Sequence, residues 1–290
     1  MLHTDFIQHI EQKISQLEQK PVKLRAYERI YGGDINQSYR LAMTDKDYFI
    51  KVNSHKFNDM FDKEARALNI LQQTQTFRVP RVYDQAIFDK FSYLLMDYIE
   101  PLIDTENPEN FALNLVKLHQ NTTEKYGLDF DNYIGTLPQI NTWQSNWTEF
   151  YRTQRLSTQL KLAGNKIPVS IHNSFDSLFK ILPELLPEEN PALLHGDLWS
   201  GNYFYNLNGE AVLVDPAIYY GHREIDLAMM RLFGGFSPKI YEIYQALFPL
   251  EKEWKNRLKI YQLYPLMVHV NLFGTSYLNS IEIILKYYVK

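Results

Sequence analysis

Apolar residues recur along the chain with two different periods, and the switches between them outline its elements. Ile7, Ile10, Ile14 and Leu17 keep helical spacing, so residues 3–19 are expected to form an amphipathic helix. From about 24 to 53 the apolar positions alternate, in KLRAYERIY, QSYRLAMT and DYFIKVN, with GGDIN (32–36) and TDKD (44–47) as turns. A helix is expected over 57–73, and Pro80 ends that region. Two more strand-like runs, QAIF and SYLLMDYI, meet around Asp89-Lys90. Past Pro101 the helical period takes over. Asn107-Pro108 supplies an N-cap and first helical residue for a helix through Leu118-His119. Residues 143–162, 170–186 and nearly everything from 223 onward also read as helical. One strand-rich island, LLHGDLWSGNYFYNLNGEAVLVDPA (193–217), is embedded there. The expected plan is α+β and two-lobed, with a small β-rich lobe over 1–97 and a larger, mostly helical lobe over 98–290.

Composition narrows the chemistry. The 290 residues are 45% hydrophobic, enough for a real core. A net charge of −4 without a Lys/Arg run argues against nucleic acid or a lipid surface as the main partner. The absence of cysteine excludes disulfides, thiolate metal sites and thiol catalysis. The eight histidines are scattered with no HExxH pair, which argues against zinc. The opening MLHTDFIQHIEQKI does not read as a signal peptide, and no run approaches 18 apolar residues. A cytoplasmic protein is expected.

The island holds Asp197, Asn202 and Asp215 among apolar neighbours, and carboxylates seldom lie in apolar strands without partners. Asn208-Gly209 predicts a two-residue type I′ turn, a register that sets Asn202 opposite Asp215 with Cβ atoms about 4.5–5.5 Å apart. Asp-x-x-x-x-Asn, a hairpin and another Asp is the order of a phosphotransferase catalytic loop. In such a loop the first Asp accepts the proton of the attacking hydroxyl, while the Asn and second Asp hold Mg²⁺.

A kinase also needs a glycine turn over the phosphates, a strand Lys and a helix Glu to hold it. GGDIN supplies the turn, and Lys51 in YFIKVN supplies the lysine. Glu64 falls within the apolar face formed by Phe57, Met60, Phe61, Leu68 and Leu71. A carboxylate there requires a buried cation, and Lys51 is the one expected.

HGDLWSGN with a downstream VDPA resembles the aminoglycoside-phosphotransferase-like kinases. DPAIYYGHREIDLAMMRLFGGF, DNYIGTLPQINTW with Trp147, and LYPLMVHVNLFGTSY narrow the resemblance to the fructosamine/ketosamine-3-kinase family. The resemblance implies a protein-kinase-like fold that uses ATP and Mg²⁺ to phosphorylate the 3-hydroxyl of a ketosamine, protein-bound or free. It implies Gly32, Gly33, Asn36, Lys51 and Glu64 around the ATP phosphates, and Met96, Asp97, Tyr98 and Ile99 as the inter-lobe segment receiving adenine. Asp197 becomes the catalytic base, with Asn202 and Asp215 as metal ligands. Trp199, His222 and Arg223 are candidate substrate contacts, while His195 and Asp226 support the loop. The phosphate turn lacks the cysteine that some relatives carry, which excludes thiol regulation there. Two alternatives stay open: a kinase for aminoglycosides or choline-type alcohols on the same fold, and a nucleotide-binding pseudokinase scaffold.

Overall fold

A computed structural model describes residues 2–31, 36–102 and 105–289. By packing, the chain divides into one unit of residues 1–106 with 204–214, and a second of 107–203 with 215–290.

The first unit is built on an antiparallel sheet. Helix α1 (Thr4–Glu18) precedes β1 (Leu24–Ile30), β2 (Gln37–Met43) and β3 (Asp47–Ser54). After α2 (Asn58–Thr74) come β4 (Val82–Phe88) and β5 (Phe91–Asp97), giving the order β1-β2-β3-β5-β4. Strand alternation decides which side chains meet which helix. Tyr39, Leu41, Met43, Tyr48, Ile50, Val52, Tyr93 and Leu95 form one buried cluster with Phe6, Ile10 and Ile14 of α1. Lys51, between Ile50 and Val52, therefore points to the opposite face, where α2 buries Phe61, Ala65, Leu68 and Leu71. The same alternation that builds the core thus carries a lysine to the α2 side.

The second unit is mainly helical. It comprises α3 (Pro108–His119), α4 (Val169–Leu185), α5 (Glu224–Leu232), α6 (Pro238–Leu247), α7 (Trp254–Phe273) and α8 (Leu278–Tyr288). The Asn107 side chain accepts from Asn110 N at 3.1 Å, the expected cap of α3. Helix α7 is buried on all sides, from Leu258 and Tyr261 to Met267 and Val270. This is the burial expected of a helix apolar around its whole circumference.

Two expectations change. The helical reading of 143–162 holds only from Trp147, where Asn146 caps Glu149 N at 2.8 Å, and residues Tyr151–Ser157 adopt a π-helical turn. Nor is the island the only strand-forming part of this half. Asn132–Ile134 pairs with Leu137–Gln139, and Ala192–Leu194 with Tyr219–Gly221. These strands are only three residues long, too short to announce themselves by alternation.

Candidate active site

In the first unit, Lys51 Nζ lies 2.6 Å from Glu64 Oε1, and both side chains are largely buried. Breaking a buried ion pair by removing one partner typically costs about 3–5 kcal/mol. Asn36 Oδ1 accepts from Asn53 Nδ2 at 2.7 Å, while Gly32 and Gly33 lie outside the described residues. Met96 is buried in β5. The Asp97 carboxylate accepts from Arg78 Nη2 (2.8 Å) and Tyr83 Oη (2.6 Å). Tyr98 lies under the Arg40 guanidinium, 4.5 Å from its ring centroid. Tyr98 and Ile99 border a cavity of about 490 Å³ that also reaches Arg78 and Leu207.

In the second unit, the loop at 195–202 is held from beneath by Asp226, fully buried in the first turn of α5. His195 N donates to Asp226 Oδ2 at 2.8 Å and Gly196 N to Asp226 Oδ1 at 2.9 Å. His119 Nε2 also lies 3.2 Å from that carboxylate. Gly196 has φ +80°, and a Cβ there would lie 2.1 Å from Ala217 O, so only glycine fits. His195 is fully buried, and its Nδ1 accepts from Asp197 N at 3.3 Å.

Asn202 folds back on this loop. Its Nδ2 donates to Asp197 O at 2.9 Å and to Asp197 Oδ2 at 3.0 Å, so its amide oxygen points away from Asp197. Burial, and then the charge of Asp215, push the Asp197 carboxyl up to about 7, while the Asn202 hydrogen bond works against them. Asp215 adopts φ +54°, which is uncommon outside glycine and repeatedly found at functional positions. Among the described residues no group of three or more His, Cys, Asp or Glu could hold a metal. The set here is different: the Asn202 amide oxygen and the Asp215 carboxylate, whose repulsion with the neighbouring Asp197 a divalent cation would relieve. This hard, oxygen-only donor set fits Mg²⁺.

The hairpin that separates Asn202 from Asp215 departs from the expected turn. Gly209 N donates to Asn206 O at 2.8 Å and Asn206 N to Glu210 O at 3.0 Å, which closes a three-residue loop. Gly209 has φ +71°, whereas neither Leu207 nor Asn208 has positive φ, so the turn is not type I′. The cause is Asn206, whose Oδ1 accepts the N–H groups of Asn208 and Glu210, both at 3.0 Å. The one-residue shift removes the cross-strand pairing of 202 with 215. Asn202 instead ends a 3₁₀ turn, Ser200–Asn202.

Two expected substrate contacts are corrected. His222 is completely buried, stacked on Tyr261 at 5.4 Å. Arg223 is 5% exposed and spends its guanidinium on Glu189 and on the carbonyls of Phe248 and Pro249. Both side chains are turned inward. Trp199 is half-buried, its ring over Gly201 and edge-on to Phe233 at 6.3 Å. The sequence reading passed over a buried polar group made of Asn132, Gln139, Asn141 and Arg155. Three amides within ten residues of DNYIGTLPQINTW were the available signal.

With this geometry in hand, comparison with known proteins is decisive. The sequence profile of fructosamine kinase matches residues 6–290. The chain belongs to the fructosamine kinase family. A probable ketoamine kinase from Enterococcus faecium is 41% identical over 261 residues, covering 89% of this chain and 93% of that protein. The crystal structure of a candidate fructosamine-3-kinase from Haemophilus somnus superposes with a TM-score of 0.85 at 28% identity, covering 96% of each chain. The aminoglycoside phosphotransferase APH(4)-Ia shares the fold alone, with a TM-score of 0.64 at 14% identity over 98% of this chain and 99% of that one. The fold of this fructosamine kinase family member is therefore protein-kinase-like, and the family is one of ATP-dependent phosphotransferases. Among the described residues no helix is long and apolar enough to cross a membrane.

Proposed function

We propose that this family member transfers the γ-phosphoryl group of ATP to the 3-hydroxyl of a ketosamine, releasing ADP, in the cytoplasm. The observation that carries the reading is the crowding of Asp197 by the Asp215 charge while Asn202 grips the Asp197 carboxylate. A half-buried carboxyl with a pKa pushed up to about 7 is matched to taking a proton near neutral pH. Asp197 is the base: its free oxygen accepts the hydroxyl proton as the new O–P bond forms and the bond to ADP breaks. The Asn202 hydrogen bond fixes the carboxylate rotamer, so the base needs no reorganisation at the moment of transfer. Asn202 Oδ1 and Asp215 would hold Mg²⁺, which when bound neutralises phosphate charge.

Residues 1–97 serve the nucleotide and 98–290 the acceptor and catalysis. Lys51, held by Glu64, is the phosphate cation, with Gly32, Gly33 and Asn36 over the phosphates. Backbone groups of 96–99 receive adenine. Trp199, two residues beyond the base, offers a face for the sugar or its amine. ADP release should be measured across ribulosamine, erythrulosamine and fructosamine derivatives, aminoglycosides and choline. Turnover confined to the ketosamines is expected. Turnover only on an aminoglycoside or choline would move the substrate class, and nucleotide binding without any turnover would mark a scaffold.

A further inference from the structure

The polar group behind the loop has a directional logic. Arg155 is completely buried on the π-helical turn, with its guanidinium 3.9 Å from the Tyr219 ring centroid and, among the described residues, no carboxylate partner. It donates to Ile140 O at 2.6 Å, to Gln154 O at 3.4 Å and to Asn141 Oδ1 at 2.7 Å. A guanidinium has donors only, so it dictates which way the Asn141 amide points. The Asn141 Nδ2 must then face outward, and it donates to Asn132 Oδ1 at 2.9 Å. That in turn leaves Asn132 Nδ2 to donate to Ile218 O at 2.8 Å. Gln139 Nε2 donates to the same Asn132 Oδ1 at 2.8 Å and to Ala217 O at 3.0 Å, while Gln139 Oε1 accepts from Tyr264 Oη at 2.7 Å. Every amide in the chain has one permitted orientation.

The end of this relay is where the two halves of the proposed site meet. Ala217 lies two residues after Asp215, and its N–H donates to His195 O at 2.9 Å. Its carbonyl fills the space that a Cβ on Gly196 would need. One residue therefore ties the Asp197 loop to the Asp215 segment, and Gln139 holds that residue by its carbonyl.

We propose that Gln139, oriented by the Arg155–Asn141–Asn132 relay and by Tyr264, is a positioning residue that sets the spacing of Asp197 and Asp215 and thereby the affinity for the divalent cation. The proposal rests on the kinase reading of the site. The distances make Gln139 a clamp on backbone, through the Ala217 carbonyl.

The test uses Mn²⁺ as the probe, with its binding to the full-length protein–ADP complex followed by electron paramagnetic resonance. Gln139→Leu should weaken Mn²⁺ binding by roughly 10–100-fold, the usual cost of losing an outer-shell partner. ADP affinity measured without divalent ion should stay within about twofold of the parent in this scheme. Tyr264→Phe removes only the hydroxyl that holds Gln139 Oε1, and should weaken Mn²⁺ several-fold even if Gln139→Leu does not fold. Unchanged Mn²⁺ affinity in folded Gln139→Leu or in Tyr264→Phe overturns the clamp. Equal loss of metal-free ADP binding also overturns it, because that marks a general packing role. If the parent protein with ADP binds no Mn²⁺, the kinase reading itself falls along with the clamp.

Discussion

Asp197 is pulled two ways: burial and the Asp215 charge favour its neutral form, whereas the Asn202 amide favours the carboxylate. That balance is what a base working near neutrality requires, and substitution should expose it. Asp197→Asn should cut turnover by about 10²–10⁴-fold while leaving ADP affinity near that of the parent, read by steady-state kinetics and calorimetry. Glu64→Gln removes the charge that holds Lys51, and should raise the KM for ATP with a smaller effect on acceptor KM. His222 makes a separate prediction about pH. Burial depresses its pKa to about 4; the Glu189 charge opposes this, and the Arg223 and Arg257 charges reinforce it. The unfolded chain, with an ordinary histidine near 6.5, binds the proton first as pH falls. The stability tied to neutral His222 is thus present above pH 6.5 and lost on the way down to 4. The loss between pH 7 and 5 is on the order of 2 kcal/mol. Urea midpoints followed by Trp fluorescence should show it, and His222→Phe should remove that component. An identical pH dependence in the variant would contradict the assignment.

At the level of elements, the loop and the hairpin use glycine differently. A Cβ on Gly196, which is left-handed, would meet backbone at 2.1 Å, whereas a Cβ on Gly209 would meet nothing within 4 Å. Gly196→Ala should therefore abolish turnover, while Gly209→Ala should cost about 1–2 kcal/mol of stability and leave kcat nearly unchanged. Melting temperature and kcat measured on both variants separate the two cases. The hairpin also shows how a strong local signal misleads. Asn208-Gly209 favours a two-residue turn, yet Asn206 captures two N–H groups and draws one more residue into the loop. A side chain three residues ahead of the glycine outweighed the pair that carried the prediction.

Across the whole molecule, legibility follows sequence distance. The alternating strands and amphipathic α1 and α2 could be read because their apolar periods are local, and the Lys51–Glu64 pair because a carboxylate sat on an apolar helix face. The order of Asp197, Asn202 and Asp215 was legible for the same reason. The relay from Arg155 to Ala217 was not, since each amide acquires its meaning only from partners brought together by the fold, up to 125 residues apart for Gln139 and Tyr264. His222 and Arg223 were candidate substrate contacts through the family resemblance of the GHREIDLAM stretch, but burial turns them inward. What unites these levels is phosphoryl transfer to one sugar oxygen. The most direct test is NMR of the product formed from ATP, Mg²⁺ and a ¹³C-labelled ketosamine. Phosphorus coupling centred on carbon 3, absent with Asp197→Asn, is the predicted result; phosphate on another carbon, or product formed equally by the variant, would contradict the account.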